Sequence, residues 1–460
     1  MTMFLRPFAT LPALSENRRL RLWAFFLLYV TQGIPFGLAQ VAIPAWLAAN
    51  GASAAEIGAF IGIVMLPWSL KLVNGLLMDR FCYRPMGRMR AWIIGSQAVM
   101  IAVLLVTAAL NPGPTDLAVL TALIFTLLLC SAFNDVAVDG MAVDLVPEQE
   151  RERITAFMSG GQAVGISASA MLAGVTLVYG GVALTALTCA LLVGVLTIMV
   201  TLLRERVGER LLPWTAGTAS PENLARGGEP WLPIIGKVLR GLFRWRTLLY
   251  FAGVGMIYSG VGMADVFGPS YSVSQLGWSS AYFTNFSSIT GFISVIMIMV
   301  VAGPMVSRLG TARFFVLFTS MMLLANLGAF LALSGYFGAG QFGTLAMQLW
   351  FVVFWAGIYG AFVVFVAWSM NLTNPAVAAS MFALFMAIPN LTRSFGAGAH
   401  GQIIDSYGYD AAFLVAAISI AVGMAACLFA GLGRKETLPA RDSAEPRPED
   451  KARLPQPVIA

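Results

Sequence analysis

Twelve apolar runs, each long enough to cross a bilayer, decide most of what this chain can fold into. They fall at approximately 22–47, 55–78, 91–110, 117–143, 153–178, 181–203, 247–271, 280–304, 313–334, 345–371, 376–400 and 410–432. A helix needs roughly 20 apolar residues to cross about 30 Å of hydrocarbon. In that solvent a segment must satisfy its own backbone hydrogen bonds, so each run is predicted to be a helix. Composition agrees: 58% of the 460 residues are hydrophobic and 11% are charged, where a soluble domain carries about 25% charge. So little charge leaves a surface suited to lipid.

The connectors are short except for the polar stretch 204–246, which holds Pro213, Pro221, Gly227, Gly228 and Pro230 and divides the runs six and six. The expected fold is all-α integral membrane, with twelve transmembrane helices in two parallel six-helix halves. The predicted organisation is an N-terminal half (1–203), a cytoplasmic central loop (204–246), a C-terminal half (247–433) and a disordered cytoplasmic tail (434–460).

Net charge is +6, but the basic residues flank spans and form no single patch, which argues against nucleic acid as a partner. Of the 28 Lys and Arg residues, 26 lie on the side of the termini and central loop, and the other two, Lys71 and Arg393, sit within spans. The opposite loops carry only Glu56, Asp116, Asp405 and Asp410 as charges. The positive-inside rule therefore predicts both termini in the cytoplasm. The first run follows Arg18, Arg19 and Arg21 and is too long for a signal-peptide core, so an uncleaved first span is expected. Cys82, Cys130, Cys189 and Cys427 have no metal-ligand or disulfide spacing and read as small packing residues.

A shift of 228 residues superposes Gly75 on Gly303, Arg80 on Arg308, Pro147 on Pro375, Phe157 on Phe385 and Met158 on Met386. Each pair occupies the same place in its half. Parallel six-span repeats build alternating-access transporters, with the substrate held between the halves near midplane.

After the second run the chain reads Gly75-Leu-Leu-Met-Asp79-Arg80, then Arg84, Gly87, Arg88 and Arg90. Gly75 would allow close helix approach, Asp79 would meet a helix N-terminus, and the arginines would lock a gate through ion pairs. The fourth run ends Asn134-Asp135-Val-Ala-Val-Asp139-Gly140-Met-Ala-Val-Asp144-Leu-Val-Pro147, and the fifth contains Gly161-Gln162-Ala-Val-Gly165. These two patterns and the Gly75–Arg80 loop resemble the major facilitator superfamily. Within it they are similar to the branch of AmpG-type muropeptide permeases and acetyl-CoA transporters. One position departs, since AmpG-type permeases tend to carry a Lys where this chain has Ala142. The resemblance implies the major facilitator fold and a secondary transporter of the cytoplasmic (inner) membrane.

Asp135 and Asp139 are four residues apart and share one helix face. Ionisable groups inside a span cost roughly 2.5–3.5 kcal/mol and mark a cavity or a partner. Together with Lys71 they read either as a proton-coupling cluster or as a structural ion pair. Asp144, at the membrane edge, is expected to pair with Arg80, Arg84, Arg88 or Arg151 and to serve gating. In the second half Asp265 and Arg393, placed toward the outer third, either neutralise each other or let Arg393 grip an anionic substrate. Gln32, ahead of a break at Gly33-Ile34-Pro35, joins Asn134, Gln162, Tyr258, Asn285, Trp355, Tyr359 and Asn390 as candidate substrate contacts. His400 reads as an interfacial residue.

The resulting expectation is a monomeric, proton-coupled transporter of an amphipathic, anionic, muropeptide-like metabolite, without cofactor or metal. A siderophore, a CoA-type acid or drug efflux remains open, as does a non-transporting receptor or assembly factor on the same fold. Catalysis is not expected: there is no phosphate-binding loop, metal cluster or nucleophile motif.

Overall fold

The computed structural model describes residues 13–225, 243, 245–336, 342–372 and 378–431. The tail 434–460 and the loop residues 226–242 lie outside them, as does the Asp79 side chain.

Among the described residues, each predicted run is helical over most of its length. The first half comprises α1 (Arg18–Phe36), continued through Gly37–Ala42 into α2 (Ile43–Ala49), then α3 (Ala54–Met65) and α4 (Lys71–Arg80) joined by a 3-10 turn. α5 (Arg90–Leu110), α6 (Leu117–Leu145) and α7 (Arg151–Thr201) complete it. After a short α8 (Pro221–Ala225) come α9 (Trp245–Ser274), α10 (Ser280–Leu309), α11 (Thr311–Leu333), α12 (Thr344–Leu372), α13 (Ala378–Tyr407) and α14 (Tyr409–Phe429). Among the described residues, nine helices are long and apolar enough to cross a membrane. One of them, Arg153–Thr201, has 49 residues. At 1.5 Å per residue it is more than twice the roughly 30 Å of a bilayer core. It breaks at Gly181, whose φ of 62° no helix accommodates, and so supplies two spans. With the α3–α4 rod and α13, the set is consistent with the twelve predicted.

Local chemistry sets the ends. The Asn17 side chain accepts from Leu20 N–H at the start of α1. Ser53 and Glu56 form a capping box at α3, and Ser279 caps α10. Leu191, Val300 and Phe429 are among the large apolar side chains left on the outside, as a lipid-facing surface requires.

Two differences from the sequence reading concern backbone. Pro35 does not break the first span; the helix continues and widens into a π-helical turn over Gly37–Ala42. Proline removes one donor, and a π turn restores the hydrogen bonding with one residue more per turn. Close helix approach is found at Gly33, not at Gly75. A Cβ on Gly33 would stand 2.6 Å from the Gln162 carbonyl oxygen, whereas among the described residues one on Gly75 would meet only Val136, at an ordinary 3.7 Å.

The halves touch through α3 with α13, α7 with α10, and α2 with α9. The Ser167 hydroxyl donates to the Ser288 carbonyl (3.1 Å) across the α7–α10 contact. Gly58 of α3 lies so close to α13 that a Cβ there would be 2.4 Å from the Ala397 carbonyl oxygen. The contact at Gly58 lies toward the face of the 50–53 loop, and α13 also touches the Leu66–Leu70 turn and α4.

Candidate transport site

Two buried ionic clusters occupy the bundle, one in each half. In the first, α6 carries Asp135 and Asp139 on one face. Asp135 lies ten residues from the end of α6 at Leu145, about 15 Å at 1.5 Å per residue, which is half a bilayer core. Lys71 Nζ pairs with Asp135 Oδ2, and Gln32 Nε2 donates to Asp135 Oδ1. The Tyr29 hydroxyl donates to Asp139 Oδ1. Asp135 is fully buried and Asp139 half-buried. Lys71 starts α4, where the 3-10 turn Leu66–Leu70 with Pro67 interrupts the span. That interruption puts the Lys71 ammonium over the Trp68 ring, 4.5 Å from its centre.

In the second cluster, Arg393 Nε and Nη2 donate to the two oxygens of Asp265 at 2.6 and 2.7 Å, a bidentate pair. Arg393 Nη2 also donates to Gln40 Oε1 at 3.3 Å, reaching the first half. The guanidinium carbon lies 5.9 Å from the Trp355 ring, and Trp355 lies 5.8 Å from Tyr359. Arg393 sits at the middle of α13, which runs on to Tyr407.

The structure thus brings together Lys71, Asp135 and Gln32, and separately Asp265, Arg393, Trp355 and Tyr359. Other candidates lie elsewhere. The Asn134 Oδ1 accepts from Gln97 (3.1 Å) and Asn390 bonds its own helix at the Met386 carbonyl. Tyr258, buried beside Phe365, is an exception, since it lies close enough to Arg393 to feel its charge. Gln162 and Asn285 are half-buried. His400 is buried, only 2% exposed, and is not interfacial, because α13 turns it into the protein.

Three participants were not visible in the sequence. Tyr29 and Gln40 occupy apolar runs where a lone polar residue gives no signal of its partner, although the π turn holding Gln40 is a common mark of functional sites. The third is the first part of the central loop, which is no free linker. Glu205 is buried and accepts from the N–H groups of Arg88, Met89 and Arg90 at 2.8, 3.0 and 2.7 Å, capping α5. Arg206 pairs with Asp144 at 3.1 Å, a partner absent from the predicted set. Arg80 is exposed, and Arg84 and Arg88 are half-buried beside this cap.

A membrane-embedded bundle of two such halves, with buried ions at their junction, is the architecture of a transporter, and the sequence comparison identifies which. A profile of the Major Facilitator Superfamily matches residues 25–397. The chain belongs to that superfamily. It is similar to the anhydromuropeptide permease of Escherichia coli K12, 24% identical over 401 residues, covering 85% of this chain and 76% of that one. An uncharacterized protein of Haemophilus influenzae is 23% identical over 407 residues, 86% of this chain and 91% of the relative. Among solved structures, the nucleoside transporter NupG has a TM-score of 0.65 at 13% identity, over 89% of this chain and 98% of that one. The peptide transporter POT with sulfate has a TM-score of 0.66 at 14% identity, over 93% and 98%. At these identities the structural likeness shows the fold. The chain is therefore a membrane transporter of small molecules and not an enzyme.

Proposed function

We propose that this superfamily member is a proton-coupled secondary transporter. It moves an amphipathic, muropeptide-like metabolite across the bacterial cytoplasmic membrane as a monomer, by alternating access, with both termini in the cytoplasm. The observation that carries the coupling is a charge imbalance. One ammonium, Lys71, faces two carboxylates, Asp135 and Asp139, and Asp139 has a neutral hydroxyl as its partner. Inside a bilayer an excess charge is expensive, and a proton on one carboxylate balances the cluster. Loading and release of that proton would bias the halves between their two arrangements.

The substrate class rests on the similarity to the anhydromuropeptide permease. An anionic substrate, argued from free cations at the site, receives less support, since Lys71 and Arg393 both pair with carboxylates. The experiment is uptake of labelled anhydromuropeptide by proteoliposomes holding the full chain. Accumulation above equilibrium is expected when the exterior is acidic, and it should collapse with a protonophore. Uptake that ignores the pH gradient would remove the proton, and no uptake would remove the substrate.

A further inference from the structure

The guanidinium of Arg393 is held along one edge and open along the other. Nε and Nη2 are committed to Asp265, and Nη2 also reaches Gln40. Among the described residues no group accepts from Nη1, and Nη1 is not one of the sealed polar atoms that lack a partner. The Arg393 side chain keeps 17% exposure against 3% for Asp265. The accessible part of the pair is therefore the donor and not the carboxylate. Beside it stands Trp355, half-buried, with its indole nitrogen sealed and without a hydrogen bond.

Charge decides what such an edge can take. Asp265 already matches the positive charge, so a carboxylate arriving at Nη1 would lose its hydration and meet a neutral pair with a second carboxylate behind it. An uncharged carbonyl loses far less on leaving water and still gains a hydrogen bond to a charged donor. The Trp355 face next to the donor suits a ring or methyl group attached to that carbonyl. We infer that the Nη1 edge of Arg393, walled by Trp355, is a subsite for an uncharged amide carbonyl of the substrate and excludes a carboxylate. Gln40, from the opposite half, positions the guanidinium for it. The inference rests on the transport reading above and names the chemistry of one contact within it.

The test needs neither a gradient nor uptake, so it fails or succeeds separately from the transport assay. The purified full chain in detergent is titrated with two probes, p-nitrophenyl N-acetyl-β-glucosaminide and p-nitrophenyl β-glucuronide, and binding is followed by calorimetry. The amide probe is expected to bind at least about tenfold more tightly than the carboxylate probe, about 1.4 kcal/mol. Asp265→Asn, which frees the charge, should reverse that order. Arg393→Lys keeps the charge and the pair but loses the fork, so its preference should disappear even where Asp265→Asn does not fold. Equal binding, a carboxylate preference or no binding by the unaltered chain would overturn the assignment. So would an amide preference that survives Arg393→Lys.

Discussion

Asp405, in the last turn of α13, accepts hydrogen bonds from the backbone N–H groups of Ala54 (3.1 Å) and Ala55 (3.0 Å), so a carboxylate of one half caps a helix of the other. Those N–H groups belong to the first turn of α3, which has no intrahelical acceptors for them. The positive end of the helix dipole adds to the attraction. Closure of this face thus uses a contact that exists only while the halves meet there.

Replacing Asp405 with Ala should loosen that closure by roughly 0.5–2 kcal/mol, the usual worth of a carboxylate cap. Spin labels at Ala52 and Tyr407, both on this face, would report the change by double electron–electron resonance. A new, longer separation is expected in the variant. An unchanged distribution would reduce Asp405 to a local cap.

Orientation has its own test, from the one-sided distribution of Lys and Arg. In a background without the four native cysteines, Asp116→Cys should react with an impermeant maleimide in intact cells. Trp214→Cys, at an exposed position in the central loop, should react only after the membrane is opened. The reverse pattern would invert the topology.

The bundle was legible in the sequence because lipid leaves a helix few options: length and apolar content suffice to find the spans. Lys71, Asp135, Asp265 and Arg393 were legible for the same reason, since each is costly where it stands and calls for a partner. Partners that cost nothing stayed hidden. The Tyr29 hydroxyl and the Gln40 amide are ordinary in an apolar helix, and only the packing of α1 against α6 and the reach of Arg393 to the π turn give them a role. Gly75 was misread for a related reason, because whether a glycine is at a close approach depends on the neighbouring helix and not on its own motif. The cap formed by Glu205 needed a chain reversal that no periodicity announces.

That cap should respond to pH. Burial, with the Glu205 carboxylate adding to it, pushes the Glu209 carboxyl from its ordinary value up to about 7. Its ionised form accepts from Asn223 Nδ2 (2.7 Å) and from Arg206 N–H (3.0 Å), and the Arg206 bond opposes the shift without cancelling it. A carboxyl raised in the folded state binds more protons there than when unfolded, so stability falls as pH rises from about 4.5 toward 7. Hydrogen exchange of residues 204–225, corrected for the intrinsic pH effect, should therefore show more opening at pH 8 than at pH 6. Glu209→Gln should flatten the difference. A pH response that persists in this variant would assign it to another group.

The two carboxylates of the first cluster should fail in different ways. Asp135 is buried against Lys71 and takes a second bond from Gln32, so Asp135→Asn leaves an ammonium without a counter-charge inside the bundle. Removing one partner of a buried pair costs roughly 3–5 kcal/mol, and low expression is expected. Adding Lys71→Met removes the orphaned charge and should restore expression. Asp139 is bound to Tyr29 alone among the described residues, so Asp139→Asn keeps an acceptor for that hydroxyl and leaves the Lys71–Asp135 pair intact. This variant should express normally and exchange substrate across the membrane while losing accumulation driven by a pH gradient. Paired measurements of counterflow and gradient-driven uptake separate the outcomes. If Asp139→Asn still accumulates substrate uphill, the cluster holds the helices together and the proton travels elsewhere. If it loses counterflow as well, Asp139 is needed for the movement of the halves and not for the proton alone.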